Sequence, residues 1–210
     1  MADPALDPAR AGVVTMELQR GVVGDLASMR QLADEVTRQG TLTAAGRLLS
    51  GARAAGVAVV HCVVEQRADG RGSVDNTPLF AALARRGPRA LVPGAAATEL
   101  VPELDQHDSD IVERRRHGIS PFGQTSLDAT LRNLGVDTVV VAGVSVNLGV
   151  IGLCIEAVNH GYRVAVPTDA VAGIPADYAA AVLANSIGYI ARLTTVDAIL
   201  EGWAGSAPVT

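Results

Sequence analysis

Five short stretches of this 210-residue sequence place chemically able side chains directly after apolar runs. They are Glu17 and Gln19; Glu65 and Gln66; Arg116 and His117; Ser145 to Gly149; and Asp169. A carboxylate such as Glu17 gives or takes a proton when its surroundings bring its pKa towards the working pH. Arg116 stays charged in any useful range, but it binds a carboxylate through two parallel hydrogen bonds. The fourth stretch, "GVSVNLGVIGLC" (143–154), joins the apolar run "TVVVAG" to an apolar helix, a junction where an enzyme of this layout presents its nucleophile. No Ser, Thr or Cys stands at the first turn of that helix, and Gly149 holds the place. Backbone N–H groups of residues 147 to 150 still point from a helix start, which favours negative charge. Asn147 either adds a donor there or caps the helix.

The two cysteines do not repair the gap. Cys154 lies five residues beyond Gly149, about 140° round the helix and about 7.5 Å further along it. It belongs to an almost wholly apolar helix, as Cys62 belongs to an apolar strand, and both read as buried core thiols.

The elements that must position these residues alternate regularly. β-rich runs are expected over 12–17, 57–63, 109–115, 138–143 and 163–169, with a sixth strand and a closing turn in 191–200. Between them the pattern predicts helices over 26–38, 41–56 (Thr41 as N-cap, Gly56 as stop), 79–86, 125–135 and 148–160, and a last one opened by Pro175. The polar loop 65–78 is long enough to be either mobile or functional. Such alternation implies an α/β fold of three-layer Rossmann-like type, with a six-stranded, mostly parallel sheet and helices on both faces. Residues 11–204 are expected to form one domain behind a flexible tail, 1–10. In such sheets ligands bind beyond the carboxyl ends of the strands, which is where the five stretches fall.

Composition excludes several functions. Hydrophobic residues make up 49% and aromatic ones 3%, so Ala, Val, Leu and Ile must build the core. The net charge of -5 argues against nucleic acid, which needs a basic patch. "ELQRGVVGD" carries Gly21 and Gly24 without dinucleotide-binding spacing, and there is no phosphate-binding P-loop, so no cofactor is expected. No apolar run reaches the roughly 18 residues of a membrane span. "MADPALDPAR" lacks the pattern of a signal peptide, and the expected location is cytoplasmic.

Three segments in order, "VVTMELQ", "ERRRHGISPFGQTSLDATLRNLG" and "TVVVAGVSVNLGVIGLCIEAVNHGYRVAVPTDAVAG", resemble the isochorismatase-like (cysteine) hydrolases over roughly residues 10 to 200. The resemblance implies an aspartate after strand 1, a lysine after strand 3 and a cysteine after strand 4 that attacks an amide. The isochorismatases proper keep the acid and the lysine, carry glycine at the cysteine position and cleave a vinyl ether without a covalent step. By position, the acid falls on Glu17, the lysine on Arg116, four residues before Ser120, and the cysteine on Gly149.

The resemblance also implies a cis peptide at Val144–Ser145, which puts Ser145 and Asn147 among the substrate-binding candidates. Gln19 matches a family glutamine that orients backbone near the pocket. Phe122 is pocket wall or plain core. His117 is a proton shuttle beside Arg116 or an inert surface histidine, and Asp169 is structural. Metal-dependent relatives place an Asp-x-His arrangement and a second histidine near His61 and Glu65, neither of which is visible here, so no metal is expected. Homodimers or homotetramers are the rule among relatives. Two readings of the acid–arginine pair stay open. In one, Arg116 anchors an anionic substrate while Glu17 relays a proton; in the other, the two form a closed ion pair. Function divides accordingly among a cysteine-independent hydrolase or lyase for a small anionic molecule, an inactive ligand-binding or assembly subunit, and an amidase with an unexpected nucleophile.

Overall fold

Runs of Val and Ala become the strands of one parallel sheet. β1 (Ala11–Met16) and β4 (Thr138–Val144) are buried along their whole length. They pair with each other at the centre, as near-continuous apolar strands should when both faces are covered. β2 (Ala58–Val64) and β3 (Ile111–Arg115) extend the sheet beyond β1; β5 (Arg163–Pro167) and β7 (Arg192–Thr194) extend it beyond β4. The order is β3-β2-β1-β4-β5-β7, and the two-residue β6 (Val171–Ala172) adds to the end of β4. Among the described residues the sheet thus has seven parallel strands where six were expected; "VA" is too short to carry a periodic signal. This computed structural model describes residues 6–73, 76–85, 89–123 and 125–204.

Helices cover both faces, as expected for three layers. Successive residues of a strand point to opposite faces, so Val13 packs with Leu48, Leu49, Val140 and Ile199, while Val14 packs with Leu131, Val139, Leu153 and Ile187. α1 (Arg30–Gln39), α2 (Thr41–Ala54) and α7 (Val196–Ala204) supply the first layer. α4 (Leu127–Asn133), α5 (Ile151–Asn159) and α6 (Ala176–Asn185) supply the other. The short α3 (Pro78–Ala84) contributes no buried residue to either.

Several local expectations change. Thr41 is the first helical residue and not the cap: Gly40, at φ 69°, ends α1 and starts α2, and the buried Thr41 hydroxyl has no partner. Pro175 stands just before α6, after a cis bond to Ile174. The segment 191–200 gives β7 and a true helix, α7, in place of a closing turn. The expected tail is tied down at two points: the Leu6 carbonyl accepts a bond from Trp203 Nε1 at 3.0 Å, and the exposed Arg10 pairs with Asp137. The rest of that tail, residues 1–5, lies outside the described residues. Among the described residues no helix is long and apolar enough to cross a membrane.

Candidate active site

β1 leads to β2 on one side and pairs with β4 on the other, so the carboxyl ends of β1 and β4 flank the point where strand order reverses. That is the crevice where open α/β sheets bind ligands. Glu17 stands there, one residue past β1. Its φ of 53° turns the backbone out of the extended region while its N–H still bonds to the Cys62 carbonyl at 2.9 Å.

The guanidinium that meets Glu17 is that of Arg115, not Arg116. Strand alternation decides this. Glu113 and Arg115 are buried on one face of β3, while Arg114 turns out to pair with Glu65. β3 lies two strands from β1, about 10 Å away, a gap that an arginine side chain spans. Arg115 also donates to the carbonyls of Gly118, at 2.8 Å, and Ile119, so one guanidinium fastens both Glu17 and the turn after β3. Arg116 is exposed and lines the same cavity as His117.

Burial raises the pKa of Glu17 above that of a free carboxylate, and the charge and hydrogen bond of Arg115 pull it down without cancelling the rise. Desolvation favours the neutral acid, the form that can donate a proton.

Opposite Glu17, β4 ends in a cis peptide between Val144 and Ser145, as the resemblance implied. The chain then makes a π-helical turn, Val146–Val150, before α5. Ser145 Oγ donates to Asn147 Oδ1, and no side-chain cap bond forms, so Asn147 is not the helix cap. Of the amides from 147 to 150, those of Leu148 and Val150 bond to the Ser145 carbonyl, which reduces the anion-binding capacity expected of this turn.

Gly149 is buried, and the space beside it is taken. A Cβ at 149 would lie 2.7 Å from Met16 Cε and 3.1 Å from the Val144 carbonyl. The Met16 thioether thus fills the room that a nucleophile's side chain would need. Cys154 is fully buried, and burial pushes its thiol up to about 12; burial raises Cys62 as well. Both are core thiols.

Two expected binding residues serve the scaffold. Gln19 is fully buried; its amide donates to the carbonyls of Val64 and Thr98, both at 3.1 Å, and accepts from Val64 N at 2.8 Å, leaving nothing for a ligand. Phe122 stacks on His160 at 5.0 Å and packs in the core beside Tyr162, away from the cavity. Asp169 accepts from Val196 N at the start of α7. His61 is buried between the Thr15 hydroxyl (2.8 Å) and Asp110 (3.3 Å), which also pairs with Arg53. Among the described residues no three His, Cys, Asp or Glu side chains group as metal ligands.

Glu17, Arg115, Arg116, His117, Ser145 and Asn147 share the wall of one cavity of about 510 Å³ with Gly149 at its floor. Sequence reasoning missed its opposite wall. Met29 just before α1, Leu32 of α1, Leu79, Phe80 and Leu83 of α3, and Arg89 close it. The available signal was the apolar "LF…L" spacing next to a polar loop.

The isochorismatase domain model matches residues 11–198. The uncharacterized isochorismatase family protein YwoC of Bacillus subtilis is 34% identical over 103 residues, 49% of this chain; the match spans about half of that relative (54%). The uncharacterized isochorismatase family protein YecD of Escherichia coli O157:H7 is 28% identical over 93% of this chain and 97% of its own. A cysteine hydrolase from Pseudomonas syringae pv. phaseolicola has a similar structure, with a TM-score of 0.79 at 23% identity over 98% of this chain and all of that one. The N-carbamoylsarcosine amidase of Thermoplasma acidophilum follows at 0.71 and 23%, over 90% of this chain and 97% of its own. At such identities these two structures establish the fold alone. The domain match spans nearly the whole described chain, and on that ground the chain belongs to the isochorismatase family.

Proposed function

We propose that this protein is a hydrolase of the family that works without a cysteine nucleophile, by acid catalysis from Glu17 on a small anionic molecule. The observation that carries this reading is a carboxyl group on a cavity wall whose burial outweighs the guanidinium beside it. Arg115 holds one oxygen of Glu17 and so fixes where the proton is presented.

The chemistry closes for a vinyl ether, the bond type that glycine-bearing relatives cleave by resemblance. Glu17 protonates the vinyl carbon, leaving a cation stabilised by the ether oxygen. The Glu17 carboxylate that results faces Arg115 and is stabilised by it. Water adds to the cation and gives its proton back to Glu17, and the adduct collapses to an alcohol and a carbonyl compound. No covalent bond to the protein forms, so neither Gly149 nor the filled space beside it is an obstacle. Arg116 at the same wall favours an anionic substrate.

The test is a hydrolysis panel of vinyl-ether carboxylates and simple amides. Turnover of the ethers, abolished by Glu17→Gln and kept by Cys154→Ala, supports the reading. Amide turnover lost on Cys154→Ala overturns it. So does the absence of any turnover; if carboxylates then raise the melting temperature, that points to the second reading, a binding protein in which Glu17 and Arg115 form a closed pair.

A further inference from the structure

The cavity carries more information about its ligand than the acid side reveals. Among the described residues its charged lining side chains are Glu17, Arg89, Arg115 and Arg116. Arg115 is tied up by Glu17 and by the Gly118 and Ile119 carbonyls, so among the described lining residues Arg89 and Arg116 are the cations that face a ligand, in a protein whose net charge is -5. Arg116 is exposed. Arg89 is half-buried and held in place: Nη1 donates to Gln66 Oε1 at 2.5 Å, and the guanidinium lies over Gly70. Gly70 sits at φ 69°, a conformation that favours glycine, and leaves the Arg89 guanidinium room to lie against the backbone. Its partner Gln66 is a neutral amide, which an anionic ligand can displace.

The segment that holds Arg89 also builds an apolar ceiling. Its ends meet where Gln66 N bonds to the Leu91 carbonyl at 2.7 Å. Within it, the Thr77 hydroxyl accepts from Phe80 N and starts α3, with Pro78 at the first turn. None of the α3 residues is buried in the core; Leu79, Phe80 and Leu83 face the cavity instead. Met29, just before α1, and Leu32 of α1 line the same cavity. A fixed cation beside an apolar chamber is complementary to one kind of small molecule.

We propose that the cavity takes a carboxylate with a hydrocarbon body, its charge anchored on Arg89 and its body packed under α3 against Phe80. This rests on the reading above that the cavity is the substrate site. Phe80 is then a specificity-determining residue and Arg89 the anion anchor, and the ligand's carboxylate displaces the Gln66 side chain from Arg89.

Binding calorimetry on the full chain tests this with butanoate, hexanoate and hexanamide as probes. The wild type is expected to bind hexanoate more tightly than butanoate, by roughly fourfold for each added methylene, and hexanamide least. Arg89→Gln lowers the affinity for both acids by a common factor and leaves hexanamide unchanged. Phe80→Ala flattens the dependence on chain length, and Phe80→Leu restores most of it. Equal affinity for acid and amide, affinity independent of chain length, or no binding of either acid overturns the proposal. Binding with this pattern but without turnover of any panel substrate refutes the hydrolase reading alone. Turnover of small polar acids in preference to apolar ones refutes the present inference alone.

Discussion

Replacing Arg115 by methionine removes three hydrogen bonds and one charge from a side chain that is 6% exposed. Glu17 then loses its counter-ion, and the carbonyls of Gly118 and Ile119 lose a donor. Breaking one side of a buried ion pair costs about 3–5 kcal/mol, because the remaining charge is left uncompensated. Glu17 can recover part of this by holding its proton, since burial already raises its pKa, so the lower end of about 3 kcal/mol is expected near neutral pH. For a chain of this size that corresponds to a melting temperature lower by about 6–12 °C. Arg116→Met, one residue away and exposed, is expected to stay within about 0.5 kcal/mol of the wild type. Urea denaturation of both variants measures the difference. A double substitution, Arg115→Met with Glu17→Gln, should recover part of the loss, because no charge is then stranded. The reasoning fails if Arg116→Met is as damaging as Arg115→Met, or if Arg115→Met costs less than about 1 kcal/mol.

Other outcomes follow from the same geometry. Gly149→Cys puts a Cβ 2.7 Å from Met16 Cε, and displacing that thioether is expected to destabilise the fold by about 1–3 kcal/mol. Thermal melts should show part of this relieved by adding Met16→Ala, and an unchanged melting temperature in the single variant would contradict the filled space. Burial holds His61 below its ordinary 6.5, with Asp110 opposing and Arg53 reinforcing the shift. The unfolded chain then takes up the proton more readily, so the contribution of His61 to stability is complete above pH 6.5 and declines as the pH falls below it. Melting temperatures across that range should fall on the acid side, less steeply in His61→Gln. Asp110→Asn, at a carboxylate 1% exposed between Arg53 and His61, is expected to cost about 3–5 kcal/mol in urea denaturation.

The fold was legible because each central strand is a run of Val and Ala ended by a turn, and each helix has a Gly or Pro near its boundary. Sites at the strand ends followed from topology, and Glu17, Ser145 and Asn147 do meet there. The run "ERRRH" hid which arginine turns inward, because three consecutive cations carry no apolar alternation to mark a face. The burial of Glu113 and Arg115 on one face of β3, with Arg114 turned out, settles it. Met16 beside Gly149 was invisible for another reason: the two are far apart in sequence, and the packing of a flexible thioether follows no spacing. Gln19 and Phe122 carry binding-type side chains, yet backbone carbonyls and neighbouring rings satisfy them. Arg89 and α3 lay in a segment whose weak pattern said loop and short helix, and only the closed cavity gives them a role.

The central claim is that Glu17 acts as an acid, and the pH dependence of kcat/KM for a hydrolysed vinyl-ether carboxylate tests it most directly. A group with a raised pKa keeps its proton to higher pH, so the rate should hold on the acid side and fall with a midpoint above 4.5, the ordinary value for a glutamate. The fall should vanish with the activity in Glu17→Gln. A rate that instead rises as the pH increases through that range would show Glu17 working as a base or not at all, and would contradict the account.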